Sequence, residues 1–327
     1  MLKDFLQTSD IISKICMQNE CDVICIQDTH RDKNTIRPTI KNMKLAIERS
    51  HNKYGSTVFA RRDLKILSID YTDHNDIEIL TIELTNCTIT SIYKPPCIPF
   101  QFTKPKNFDH QNTQIAIGDF SSHSEAWGYA DTNDDGVAVE KWAEDNDLSL
   151  IHDPKLLYSF NIGRWKRGYN PDIIFVSKNI RQQAIKYFNK PIPHSQHHPI
   201  SCKVLDRIRP FKVPFKRRFN FIKANWSAFS RNLDSELKSF PAYHTQYDSF
   251  IEIIKKVSRN HIPRGCRVNY ILGLFPDQFK DYETYTALFN MNPFSVETFE
   301  KGERLMQTIA EAKRIHWHSL LNEIDSK

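Results

Sequence analysis

The sequence predicts a two-sheet α/β sandwich followed by a helical extension. Short apolar runs of strand length recur as far as residue 208, and turn chemistry bounds each of them. Two or three helical patterns fall among these runs, which favours layered sheets over a helix bundle. Beyond Arg209-Pro210 the apolar residues recur at three- and four-residue steps, the spacing of amphipathic helices. With 327 residues, 40% of them hydrophobic, the chain can build a domain of about 200 residues and an appendage. The expected boundary separates residues 1–208 from 209–327.

Lys3 to Asn19 has helical spacing, with Leu2, Phe5, Leu6, Ile12, Ile15 and Cys16 on one broad face. Asp22 to Gln27 is an apolar strand that ends in the polar run Gln27-Asp28-Thr29-His30. Val58-Phe59-Ala60 and Leu64 to Ile69 are further strand candidates. Ile77 to Leu84 and Cys87 to Tyr93 alternate as a hairpin turning at Asn86, and Pro95-Pro96 ends the second run. Ile115-Ala116-Ile117 leads straight into Gly118-Asp119, as a buried strand does when it delivers an acid to a sheet rim. Gly136 to Asn146 reads as a helix burying Val137, Trp142 and Ala143. Strands follow at Ile173 to Val176, after Pro171-Asp172, and through Ile200 and Val204. The later helices are Trp226 to Leu237, Tyr247 to Val257 and Thr298 to Leu320, with breaks at Pro263-Arg264-Gly265 and Asn292-Pro293.

No run is apolar enough to span a membrane, and Met1-Leu2-Lys3-Asp4-Phe5 does not open a signal peptide. The seven cysteines show neither metal-pair spacing nor an even disulfide count, so core thiols and a reducing, intracellular setting are expected. Net charge is +6, and its placement matters more than its sum. Arg207 to Lys223 carries seven basic residues, Arg217 and Arg218 among them, and no acid. Phe211, Phe215, Phe219 and Phe221 interleave with them, which suits a polyanion such as nucleic acid. The competing reading is a solvated linker whose phenylalanines dock on a neighbour.

Asp28, Asp119, Asp172 and His197 all fall at strand ends, where residues distant in sequence can share a cleft. A hard divalent cation needs carboxylate oxygens, and phosphodiester hydrolysis also needs an oriented water and a charge sink. One carboxylate for the metal, one aspartate base and one histidine meet those needs. Singly, each aspartate is equally an ordinary cap or turn residue, and His194, His197 and His198 equally form a surface cluster.

The local contexts decide between these readings. Ile26-Gln27-Asp28-Thr29-His30, Tyr93-Lys94-Pro95-Pro96, Gly118-Asp119-Phe120-Ser121-Ser122-His123 with Trp127-Gly128, Pro171-Asp172-Ile173 after Gly163-Arg164-Trp165, and Ser195-Gln196-His197-His198-Pro199 occur in this order. Together they resemble the endonuclease domain of non-LTR retrotransposons, of the DNase I-like exonuclease–endonuclease–phosphatase fold, most closely the jockey-like branch. Arg218-Phe219-Asn220, Ala224-Asn225-Trp226 and Ile262-Pro263-Arg264-Gly265 resemble the segment that joins such domains to a reverse transcriptase. The resemblance implies that Asp28 holds Mg²⁺ or Mn²⁺, that Asp119 orients or deprotonates the attacking water, and that Tyr93 hydrogen-bonds a phosphate oxygen. It implies that His197 stabilises the pentacovalent phosphate or assists proton transfer, with Asp172 fixing its tautomer and orientation. It further implies a DNA nick with a 3′-hydroxyl that primes reverse transcription, element RNA as a second partner, and a nuclear site of action.

Four departures from the family pattern predict impaired activity. Asp28 stands where Glu is usual, Ser121 where an Asn contacts the scissile phosphate, and Gln196 where an aspartate precedes the histidine. The usual first strand, ending in an Asn beside the metal, is also expected to be missing. The competing expectation is a catalytically inactive nucleic-acid-binding module.

Overall fold

A computed structural model describes residues 5–34, 39–153, 157–163, 166–204, 218–238, 240, 247–265, 271 and 273–325. The chain divides into two compact units, one of Met1–Lys212 with Ile271–Lys327 and the other of Val213–Tyr270. The helical portion after residue 208 is thus shared between both units.

In the first unit α1 (Phe5–Gln18) precedes β1 (Val23–Gln27), β2 (Met43–Arg49), β3 (Ser56–Arg61), β4 (Ser68–His74), β5 (Ile77–Glu83), β6 (Thr88–Tyr93) and β7 (Gln114–Asp119). Then come α2 (Asp134–Asp145), β8 (Leu148–Leu150), β9 (Phe160–Ile162), β10 (Arg167–Tyr169), β11 (Asp172–Ser177), β12 (Ala184–Phe188) and β13 (Ile200–Val204). One sheet has the order β1-β3-β2 and the other β4-β5-β6-β7-β11-β8, while β9 with β10 and β12 with β13 form two-stranded ribbons. This is an α/β fold of layered sheets. The strand expected over Leu64 to Ile69 starts later, at Ser68, and Leu64 instead fills the core between the sheets.

Side-chain alternation sorts the long sheet into two faces. Leu80, Ile82 and Ile89 face inward and pack against Ile47, Val58 and Ala60 of the smaller sheet. Ile77, Ile79, Ile92, Ala116, Ile173 and Phe175 face outward beneath α2. Asn133 caps α2 by accepting from Gly136 N, and Asp134 and Asp135 complement the helix dipole in its first turn. Trp142 stands among Phe100, Phe102, Phe120 and Phe175 at ring separations of 5.8, 4.9, 5.9 and 5.7 Å. Val137, expected on the buried face, is 57% exposed, and Val139 replaces it. Two positions rotate a helix by about 200°, so both cannot face the sheet.

Helices α5 (Pro276–Met291) and α6 (Val296–Asp325) belong to this first unit. Their Tyr282, Tyr285, Phe289, Leu305, Met306 and Ile309 share one core with Ile11, Ile12, Ile15 and Cys16 of α1 and Ile26 of β1. Helix α5 was not expected from the sequence, because aromatics and polar residues alternate in it without a clean apolar stripe.

Among the described residues β1 pairs with β3 alone and β13 with β12 alone. Both border a cleft of about 830 Å³ whose lining includes Ile24, Ile26, Ile115, Ile117, Ile200 and Val204. Ile115 and Ile117 stay half-buried on a central strand because they face this cleft. Its lining reaches Asp28, Asp119, Asp172 and His197.

The second unit comprises β14 (Arg218–Phe219), α3 (Trp226–Lys238), α4 (Tyr247–His261) and β15 (Arg264–Gly265), with β14 paired to β15. Phe221 and Trp226 are exposed, and their rings stack at 6.2 Å and 9°. Arg217 lies outside the described residues, and Arg218 is placed by its backbone in β14. Among the described helices none is long and apolar enough to cross a membrane.

Candidate active site

The site begins as a row across the long sheet. Strand register pairs Glu78 with Tyr93, Tyr93 with Asp119, and Asp119 with Asp172. Directly paired residues share a face, so four polar side chains line one inward-facing rim. Gly118 makes this approach achievable: a Cβ there would lie 1.8 Å from the Ile92 carbonyl oxygen. That requirement explains the Gly-Asp pair on which the sequence pattern turns.

His197 arrives from the loop before β13 and is held at its backbone by an isolated bridge to Phe160. Its Nδ1 lies 2.9 Å from Asp172 Oδ2 and 3.2 Å from Oδ1, which fixes the tautomer with the proton on Nδ1 when the ring is neutral. Its Nε2 points toward Asp119, 3.9 Å from Oδ2. Burial opposes the imidazolium, but the charges and hydrogen bond of Asp172, with Asp119 behind, outweigh it and raise the His197 pKa. Burial and the neighbouring Asp172 charge raise Asp119 to about 6, against partial relief from His197 and Ser121. Asp119, Asp172 and His197 therefore form one electrostatically coupled array, in which Asp172 and His197 are hydrogen-bonded and Asp119 lies 3.9 Å from the ring.

Ser121 adopts a left-handed backbone, φ 39°, that turns it back on its neighbour. Its N–H and Oγ both donate to Asp119 Oδ1, at 2.8 and 2.9 Å. The hydroxyl at the position where the family pattern has an amide is thus spent on orienting Asp119.

Asp28 follows β1 with φ 58°, and His30 has φ 48°. Backbone bonds from Thr29 N to Gly55 O and from His30 N to Tyr54 O fix that left-handed loop. Tyr93 donates its hydroxyl to Asp28 Oδ1 at 3.3 Å, and His30 Nε2 lies 3.1 Å from the same oxygen. Burial, Asp28 and Asp119 make the Tyr93 hydroxyl a weaker acid, so it stays a donor. All five sequence-predicted residues, Asp28, Tyr93, Asp119, Asp172 and His197, therefore border one rim.

Other contributors were not legible in the sequence. Glu78 is fully buried, takes hydrogen bonds from Gly55 N and Ser56 Oγ, and pairs with Arg49. Its only sequence signal is an acid at an inward position of an apolar strand. Lys94, also fully buried, ties Pro95 O, Ile98 O and Asp135 Oδ2 together at 3.1, 2.8 and 3.0 Å, securing the loop beyond Tyr93. His198 has a structural role, buried against Phe188 and Phe289 with its pKa lowered by burial. His194 instead pairs with Glu303 at 2.8 Å.

Ligand atoms of Asp119, Asp172 and His197 lie within 4.8 Å of one another and could hold a metal ion. Asp172 is already committed to His197, however, and imidazole is a poor partner for a hard cation. Asp28 has its Oδ1 held by Tyr93 and His30, which leaves its second carboxylate oxygen to a cation, and one or two carboxylates suffice for a hydrated hard cation. The residues present therefore fit a divalent ion.

Residues 87–201 match the endonuclease-reverse transcriptase family. Among solved structures, the endonuclease domain of TRAS1, a telomere-specific non-LTR retrotransposon, aligns at 12% identity and TM-score 0.43, covering 61% of this chain and 92% of that one. An AP endonuclease from Archaeoglobus fulgidus aligns at 12% identity and TM-score 0.47, covering 62% and 96%. Truncated TDP2 of Caenorhabditis elegans aligns at 9% identity and TM-score 0.40, covering 61% and 91%. The comparison with curated proteins found no match.

Proposed function

We propose that this chain hydrolyses phosphodiester bonds in DNA as a divalent-metal-dependent endonuclease of retroelement type. The Asp172–His197–Asp119 array, set beside Tyr93 and Asp28, carries the reading. At neutral pH Asp119 is ionised, yet with a pKa of about 6 it is basic enough to take a proton from an attacking water. Asp172 orients His197 and keeps it cationic nearer neutrality, placing a positive N–H where phosphoryl charge develops. Tyr93 holds Asp28 in place and is near enough to the row to serve a phosphate oxygen next.

Bound at Asp28, a hard cation such as Mg²⁺ or Mn²⁺ would neutralise charge on the phosphoryl oxygens and the leaving oxygen. Ser121 donates to Asp119, so one substrate contact of the family pattern is lost and the rate is lowered by about a hundredfold. We further infer a nick with a 3′-hydroxyl that primes reverse transcription, with element RNA as a further partner and the nucleus as the site of action; the family match over residues 87–201 supports the endonuclease character alone. Supercoiled plasmid tests the reading. Nicking should require Mg²⁺ or Mn²⁺, stop with EDTA, and fall by about a thousandfold in His197→Ala. Metal-independent nicking, or full activity in His197→Ala, would refute it.

A further inference from the structure

A chain of rings flanks the carboxylates and takes no part in the chemistry above. Phe160 and Tyr169 are direct partners across the β9–β10 ribbon and so share its face. Phe160 packs on His197 with ring centroids 4.6 Å apart. Tyr169 stacks on Tyr129 at 5.5 Å and 26°, and Tyr129 stacks on His123 at 4.2 Å and 15°. The Arg167 guanidinium lies 5.1 Å from the Tyr169 ring centroid. Burial first, then the charges of Asp119 and Asp172, raise the Tyr129 pKa.

The column is rigidly mounted. His123 donates its N–H to Asn133 Oδ1 and accepts at its carbonyl from Asn133 N, at 3.0 and 3.2 Å. Gly136 lets α2 approach: a Cβ there would lie 1.8 Å from His123 O. Gly128, at φ 90°, turns the chain into Tyr129, whose N–H bonds to Ser124 O at 3.1 Å. Among the described residues neither the Tyr129 nor the Tyr169 hydroxyl has a hydrogen-bond partner. His123 at one end and Arg167 at the other are exposed, and Lys166 adds a second exposed cation.

We propose that His123, Tyr129 and Tyr169 form a stacking shelf for an unpaired nucleobase adjoining the bond to be cut. The preferred substrate is then DNA that is single-stranded or locally unstacked at the cleavage step. This rests on the phosphodiester reading for the nature of the ligand. The exposed His123 ring, backed by the stacked Tyr129 and Tyr169, matches the face of a base, the two cations match the polyanionic backbone, and Phe160 joins the ribbon to His197 of the rim. A regular duplex keeps its bases stacked on each other and offers no free face to such a shelf.

The test uses the full chain in EDTA with a single-stranded oligonucleotide carrying a central 2-aminopurine, and the same strand in a duplex. Wild-type protein should quench the 2-aminopurine on binding the single strand, and His123→Phe should retain the quench. His123→Ala should lose it and bind the single strand about tenfold more weakly, while duplex affinity changes far less. Melting temperatures of all three proteins show whether folding is intact. Equal single-strand affinity and quenching in His123→Ala and wild type overturns the shelf. Plasmid nicking by the same three proteins in Mg²⁺ without EDTA reports separately on the phosphodiester reading. A wild-type chain that binds neither form of DNA overturns the shelf, whatever its nicking in Mg²⁺.

Discussion

The two halves of the proposed active site are built differently. Asp119 and Asp172 are direct partners on adjoining strands, and the ladder that pairs them also places Tyr93. Asp28 stands beyond the end of β1, at an edge of the smaller sheet, in a loop with left-handed residues. The first half is fixed by register, in which a one-residue slip would turn every side chain to the opposite face. The second is fixed by three individual contacts from Tyr93, His30 and the backbone around Gly55. Acid–base chemistry needs a geometry held tightly, whereas an ion with exchangeable waters tolerates a looser ligand. Substitutions in the first half should therefore alter rate and pH dependence, and those in the second should alter metal requirement.

Asp119→Asn should produce the largest effect, a loss of nicking of at least about a thousandfold. It should also stabilise the fold. A carboxyl whose pKa rises from 3.8 to about 6 binds its proton more tightly when folded, so its ionisation costs stability as pH climbs through that interval. Removing the charge should recover about 1–3 kcal/mol at pH 8 and nothing at pH 3, as read by denaturant midpoints. A lowered midpoint at pH 8 would show that Asp119 stabilises the fold and is not strained for function.

Asp172→Asn comes next, with a rate loss of about a hundredfold and a distinctive pH signature. Asp172 is the chief charge raising His197, so its removal lets the histidine deprotonate at lower pH. The alkaline limb of the pH–rate profile should move downward, and the acidic limb, set by Asp119, should move below 6 as well, because the Asp172 charge that helps raise Asp119 is gone. An unmoved alkaline limb would detach His197 from the chemistry.

Across the divide, Asp28→Ala should raise the Mg²⁺ concentration for half-maximal nicking by about tenfold or more. Asp28→Glu should leave that concentration within a few-fold. If Asp28→Ala changed the pH profile and not the metal requirement, the ion would belong to the Asp119, Asp172 and His197 group, whose ligand atoms lie within 4.8 Å.

The same contrast separates what was legible in the sequence from what was not. Strands delivering Tyr93, Asp119 and Asp172 announced themselves because local patterns, an apolar run with Gly-Asp, Tyr-Lys-Pro-Pro or Pro-Asp at its end, encode both strand and rim. Their register was not readable, since it depends on Gly118 fitting beneath the Ile92 carbonyl. Strands such as β2, reading Met-Lys-Leu-Ala-Ile-Glu-Arg, escaped notice because their pattern mixes charges with apolar residues and gains its pairing from β3. The return of α5 and α6 to α1 was equally hidden, because amphipathicity reveals an apolar face without naming what covers it. His30 was visible as a letter after Asp28, but its contact requires the left-handed loop that sequence alone does not specify.

That contact yields the smallest and most diagnostic prediction, in His30→Asn. Asparagine tolerates the left-handed backbone, so the bond from residue 30 N–H to Tyr54 O, 2.8 Å in length, should survive. What disappears is an imidazole 3.1 Å from Asp28 Oδ1, which competes with a cation for that carboxylate. A partly buried contact of this kind is worth about 1 kcal/mol, so the gain is bounded. The Mg²⁺ concentration for half-maximal nicking should fall about two- to fivefold, with the saturated rate nearly constant. A rise would mean that His30 holds Asp28 in the orientation the cation needs, making it a positioning residue and not a competitor. In either case the Asp119–His197 pH limbs should stay in place, because no element of the sheet register passes through residue 30.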